Sequence, residues 1–146
     1  MSFAYPPRRG GWLAALVLLL LTGLLALPPA ALARDRLNAN QSLERNQALV
    51  SQNKQYRLYM QDDGNLALYK IKGNQALWTS NTAGVAAKLL AMQGDCNLVL
   101  QKFDGSPAWA SNTAGPSGCH LILQDDGNLV LYQGSNVLWN TGTQGR

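Results

Sequence analysis

Side chains that do chemistry are scarce in this 146-residue sequence. His120 is the single histidine, and Cys96 and Cys119 are the two cysteines. That is too few imidazoles and thiolates for a zinc site, and the cysteine spacing excludes a CxxC redox pair. A general base needs a nucleophile beside it, and nothing in the sequence assembles one around His120, which reads as a strand residue next to Cys119. Charged residues make up only 14% of the chain and never form a run of one sign, so the electrostatic footprint of a nucleic-acid binder is missing. No segment beyond the first thirty residues or so keeps a helical apolar period, and no low-complexity linker interrupts it. At this length one domain is expected.

The N-terminus is of a different kind. Arg8 and Arg9 precede an apolar run from Trp12 to Leu27, and Pro28, Pro29 and Ala31-Leu32-Ala33 follow. A basic start, an apolar core and small residues at a cleavage point make a secretory signal over 1–33, with cleavage expected after Ala33. Sixteen residues are short for a bilayer span and the proline pair would end the helix, so no membrane insertion is expected once the signal is removed. Arg8-Arg9 also fits a twin-arginine signal. The mature chain, 34–146, is therefore expected outside the cell or in a periplasm. Without Arg8 and Arg9 it has ten Lys and Arg against eight Asp and Glu. In an exported chain a disulfide is the default state of its two cysteines.

The mature chain is organised by repetition. QDDGNLALY starts at Gln61, QGDCNLVLQ at Gln93 and QDDGNLVLY at Gln124, 32 and then 31 residues apart. A fixed period of this size marks one structural unit used three times. A second motif alternates with it: LWTSNTAG around Trp78, AWASNTAG around Trp109 and, more loosely, LWNTG around Trp139. The N-terminal part holds Asn40-Gln41-Ser42-Leu43 and Asn46-Gln47-Ala48-Leu49, read as two tight turns at Asn, each releasing a short strand that buries its leucine. Tyr56, Leu58 and Met60 alternate with Arg57 and Tyr59, Asp62-Asp63-Gly64 turns, and Leu66 and Leu68 return on the core side, which makes a β-hairpin. Asn65, Ala67 and Tyr69 then look outward. Turn signals every eight to twelve residues predict an all-β chain. Trp78, Trp109 and Trp139 are expected to meet about a pseudo-threefold axis, supplying apolar area that small units lack.

Each copy sets Gln at a strand end, Asp in the turn, and Asn, a small apolar residue and Tyr at alternate positions of the next strand. Amide donors and acceptors, a carboxylate, a phenol and an apolar patch suit a neutral polyol. They suit phosphate poorly, because the carboxylate repels it. Turn chemistry alone explains Asp, Gly and Asn but requires neither the Gln before them nor the Tyr after them. An EF-hand is excluded by ligand spacing, missing flanking helices and the missing bidentate Glu. A glycosidase needs two carboxylates across one cleft, whereas Asp63, Asp95 and Asp126 belong to three different faces. No catalytic residue, metal site or cofactor is expected.

The triple Q-x-D-x-N-x-V-x-Y motif, with W-x-[ST]-N-T between copies, closely resembles the bulb-type, snowdrop-agglutinin-like mannose-binding lectins over about Leu37 to Gly145. The resemblance implies a β-prism II fold, three antiparallel four-stranded sheets with pseudo-threefold symmetry, a Cys96–Cys119 disulfide, and metal-independent binding of mannose or mannose-containing glycans on each sheet. C-terminal strand exchange into a homodimer is also common in that family. Carried over residue by residue, the third site is complete: Gln124, Asp126, Asn128, Val130 and Tyr132. The first has Gln61, Asp63, Asn65 and Tyr69 but Ala67 for valine, a loss of about 1 kcal/mol of apolar contact that predicts a weakened site. The second has Gln93, Asp95, Asn97 and Val99 but Gln101 for tyrosine, a flexible amide that must be ordered on binding and leaves that site doubtful. Two further uses of such a fold are an antibacterial, bacteriocin-like protein and an interaction module that has lost its sugar.

Overall fold

The computed structural model describes residues 33–146. The predicted signal, 1–33, lies outside the described residues but for Ala33. Among the described residues there are twelve strands and no helix. Three short ones come first, β1 (Arg36–Asn38), β2 (Gln41–Glu44) and β3 (Ala48–Val50). The three repeats follow as β4 (Tyr56–Met60), β5 (Leu66–Lys70) and β6 (Gln75–Thr79); β7 (Ala87–Met92), β8 (Leu98–Lys102) and β9 (Pro107–Ala110); and β10 (Cys119–Leu123), β11 (Leu129–Gln133) and β12 (Asn136–Asn140).

Each repeat forms an antiparallel three-stranded meander, and each acquires its fourth strand from the N-terminal segment. The sheets run β1-β10-β11-β12, β2-β7-β8-β9 and β3-β4-β5-β6. Asn40 and Asn46 take left-handed φ values of 65° and 63°, so the chain turns sharply after each short strand and visits a new sheet every six residues. The Asn-Gln-x-Leu reading is thereby borne out: Leu43 and Leu49 are buried in β2 and β3, and Leu37 does the same in β1.

Register then builds the core in three equivalent rows. Leu37, Leu121, Leu131 and Trp139 lie side by side across one sheet. Leu43, Leu90, Leu100 and Trp109 do so across the second, and Leu49, Leu58, Leu68 and Trp78 across the third. All nine leucines are at most 1% exposed; burying such a side chain is worth about 1.5–3 kcal/mol. The three tryptophans close the rows against one another, with ring centroids 5.7, 5.7 and 5.3 Å apart and interplanar angles of 74°, 76° and 67°. Such edge-to-face contacts set the positive ring edge against a negative face. This is the pseudo-threefold meeting the repeats predicted, and it makes the tryptophans structural.

The disulfide Cys96–Cys119 ties the turn before β8 to the start of β10. It crosses from one sheet to the next.

Candidate functional site

The Gln-Asp-Asn-Tyr clusters sit on the outer faces of the three sheets, at the turns before β5, β8 and β11 and along those strands. Asp63, Asp95 and Asp126 lie on three different sheets. In the third cluster, Gln124 Nε2 donates to the Tyr132 hydroxyl at 2.8 Å, and the Asn128 backbone N–H donates to Asp126 Oδ1 at 2.9 Å. The first repeats both bonds: Gln61 Nε2 to the Tyr69 hydroxyl at 2.8 Å and Asn65 N–H to Asp63 Oδ1 at 2.9 Å. The second has the Asn97 N–H to Asp95 Oδ1 bond at 3.0 Å. With Gln101 in place of tyrosine, it lacks the amide–phenol bond.

These bonds decide which atoms remain for a ligand. One aspartate oxygen is consumed holding the turn, and the other is free to accept. The phenol oxygen accepts from the glutamine, so its own proton is available to donate. The asparagine carbonyl is spent. Asn128 Oδ1 accepts from Thr141 Oγ1 at 3.1 Å and the Thr143 N–H at 3.3 Å. Asn65 Oδ1 accepts from Thr79 Oγ1, Ser80 Oγ and the Thr82 N–H at 2.8, 3.2 and 3.2 Å, and Asn97 Oδ1 from Ser111 Oγ and the Thr113 N–H, both at 3.3 Å. What the asparagine offers outward is its amide N–H group. In the third cluster that group also reaches Asn140 Oδ1, at 3.5 Å.

The residues that hold the asparagine carbonyl belong to the W-x-[ST]-N-T motif, whose tryptophan lies on the axis. In each repeat the motif's last threonine donates to the carbonyl of the turn residue before the asparagine: Thr82 to Gly64 at 2.8 Å, Thr113 to Cys96 at 2.6 Å, Thr143 to Gly127 at 2.7 Å. A backbone bond follows in each, from the N–H of Gly84, Gly115 and Gly145 to the carbonyl of Asp63, Asp95 and Asp126. The motif is a clasp around the site's turn. Its recurrence, with the threonine 17, 16 and 15 residues after the cluster asparagine, is the signal in the sequence. Between the two hydroxyl residues the chain takes φ of 56°, 57° and 65° at Asn81, Asn112 and Gly142, which is why the looser third copy has glycine there.

Ala67, Val99 and Val130 occupy the outer face as their parity requires, yet they are only 0%, 6% and 2% exposed. Side chains on the flanking strands cover them. Ala67 lies between Tyr59 and Thr79, Val99 between Ala91 and Ala110, and Val130 between Ile122 and Asn140. The outward direction expected for Ala67 therefore does not make it a contact surface.

The sites differ most at the position across from the tyrosine. Arg57 faces Tyr69, Leu89 faces Gln101 and His120 faces Tyr132. The His120 and Tyr132 rings stack at 5.7 Å and 24°, so the lone histidine supports the third site's phenol. A cavity of about 340 Å³ opens beside that site, lined by Asp35, Gln52, Ile122, Leu123, Gln124, Asp125 and Asp126. Its Asp35 carboxyl is held below the usual carboxylate range by the hydrogen bond from Arg36, against an opposing effect of burial and with help from Gln52. Among the described residues no three His, Cys, Asp or Glu side chains converge as metal ligands.

Three antiparallel four-stranded sheets about a tryptophan axis, each with such a cluster on its outer face, define the β-prism II class. Comparison with known proteins agrees. A monomeric monocot mannose-binding lectin from Gastrodia elata superposes with a TM-score of 0.69 at 43% identity, over 75% of this chain and 98% of that one. The mannose-specific agglutinin of snowdrop, Galanthus nivalis, solved with methyl-α-D-mannoside, superposes at 0.63 with 36% identity, over 75% and 97% of the two chains. The B-type lectin plumieribetin of Scorpaena plumieri is 42% identical over 69 residues, which span 47% of this chain and 58% of that protein. No family model matches the chain. The chain belongs to the bulb-type mannose-binding lectins.

Proposed function

We propose that this is a secreted, non-catalytic lectin that binds mannose or mannose-containing glycans without a metal ion. The reading is carried by one observation: in the third cluster a free carboxylate oxygen, an amide N–H group and a phenol proton converge on one outer face, each with its other valence tied to the protein. Groups held this way reach hydroxyls at little entropic cost. Adjacent hydroxyls of a pyranose each donate and accept, which is the complement of this set.

Gln124, Asp126, Asn128 and Tyr132 are the principal site, with His120 beneath the phenol. Gln61, Asp63, Asn65 and Tyr69 form a second site of the same geometry. Gln93, Asp95 and Asn97 lack the phenol and bind least. A single shallow site holds one sugar at about millimolar strength, near 4 kcal/mol. Useful affinity comes from several sites engaging one branched glycan. β12 is an edge strand, held in its sheet by β11 alone, so exchange of this last strand would build a homodimer without disturbing other pairings. Export follows from the leader at 1–33.

The test is a glycan array with calorimetry on the mature chain, and its mass in solution. Binding of mannosides by the parent, weakened in Asp126→Ala and lost when Asp63→Ala is added, supports the proposal. A chain that binds no mannose, mannobiose or mannan overturns it.

A further inference from the structure

We propose that the first site is tuned to an acidic saccharide of mannose configuration, of the uronate class, with Arg57 as the residue that selects it. The inference rests on the sugar-binding reading of the outer faces.

At the register position across from the last residue of each cluster the three sheets carry arginine, leucine and histidine. Only the arginine is a permanent cation. Its guanidinium carbon lies 5.4 Å from the Tyr69 ring centroid and 5.8 Å from that of Tyr59. Nη2 donates to Asn74 Oδ1 at 2.9 Å. The head group is thus laid over the phenol of the site and fixed there. Among the described residues the ion pairs are Arg36–Asp35 and Arg45–Asp62, so Arg57 has no carboxylate partner. Its Nε is sealed from solvent with no acceptor. An arginine present for solubility alone would rotate outward and recover that hydrogen bond.

The rest of the first site is altered in the same sense. Tyr59 lies across from Ala67, which is fully buried, where the third site has Ile122 beside Val130. The first face therefore adds a second phenol and a permanent cation where the third has an isoleucine and an imidazole. Its acceptor end and its cationic end are separated: Asp63 lies in the turn beyond the Met60–Leu66 pair, three residues along the strand from the Arg57–Tyr69 pair, or about 10 Å. A ligand with hydroxyls at Gln61, Asp63 and Asn65 and a carboxylate directed to Arg57 satisfies both ends. The planar fork of a guanidinium matches a carboxylate, and a half-buried pair is screened less than one in open water.

The test uses the mature chain carrying Asp126→Asn, in which the side-chain carbonyl still accepts the Asn128 N–H while the third site loses its carboxylate. Calorimetry compares a mannuronate trisaccharide with neutral mannotriose. The acidic ligand is expected to bind roughly tenfold tighter at low salt, a preference that shrinks as ionic strength rises. Arg57→Leu, which copies the second repeat, should abolish the preference, bringing the ratio of the two affinities close to one. Arg57→Lys retains the charge without the fork, and a partial preference is expected there even where the leucine variant does not fold. No preference for the acidic ligand, or one unchanged in Arg57→Leu, overturns the inference while the lectin reading stands. Failure of both ligands, with the parent chain also silent toward mannosides, removes both.

Discussion

Asn128 shows how one side chain can serve wall and ligand at once. Its carbonyl oxygen holds the 141–143 segment and its amide group points into the site. Asn128→Ala should therefore do two things: strand the Thr143 N–H, destabilising the fold by about 2 kcal/mol, and silence the third site. Tyr132→Phe separates the two effects. It removes a bond to Gln124 and a donor to the ligand but no buried support, so mannoside affinity should fall about tenfold with unfolding nearly unchanged. Calorimetric titration beside thermal unfolding of both variants checks this; full binding by Tyr132→Phe would exclude the phenol from the site. Ala67 makes the opposite point. A valine there would match the third site, but the position is already closed over by Tyr59 and Thr79. Ala67→Val should lower stability by about 1–3 kcal/mol through overpacking without improving affinity.

At the scale of elements, the unit is a hairpin turn enclosed by the clasp that follows the next strand. The turn's fourth residue takes a left-handed φ of 89° at Gly64, 71° at Cys96 and 88° at Gly127. At Gly127 an added Cβ would lie 2.6 Å from the Tyr56 ring, and Tyr56 in turn donates its hydroxyl to the Arg146 carbonyl at 3.2 Å. Gly127→Ala should destabilise the chain by about 1–3 kcal/mol and weaken the third site together with it. Chemical denaturation and mannoside titration of the same variant measure the two. In the second repeat the equivalent position bears a side chain, and that side chain is half of the disulfide. The repeat that has lost its phenol has gained a covalent tie at the same turn.

At the scale of the molecule, three faces are linked through one axis and one bridge. Closing the loop between Cys96 and Cys119, 23 residues apart, should contribute about 3 kcal/mol. The double variant Cys96→Ser, Cys119→Ser is expected to lose that much in equilibrium unfolding while still binding mannosides at the third site, since neither cysteine supplies a polar group to it. Loss of all binding in a folded double variant would show that the sheets do not act independently.

Much of this was legible along the chain, because strand parity, turn residues and a period near 31 are local properties. They are enough to place Leu66, Leu68, Leu129 and Leu131 inward, to put left-handed turns at Asn40 and Asn46, and to bring the three tryptophans together. The cluster membership of Gln124, Asp126, Asn128 and Tyr132 follows from the same repetition. Tertiary structure alone decided what depends on neighbours distant in sequence. It set Arg57 and His120 against the phenols, covered Ala67 with Tyr59, divided three consecutive short strands among three sheets, and turned Thr82, Thr113 and Thr143 into clasps on the asparagines. The physical reason is cross-strand register: which side chain lies beside which is fixed by pairing across the sheet, and that pairing is settled only when all three leucine rows close on the tryptophan axis.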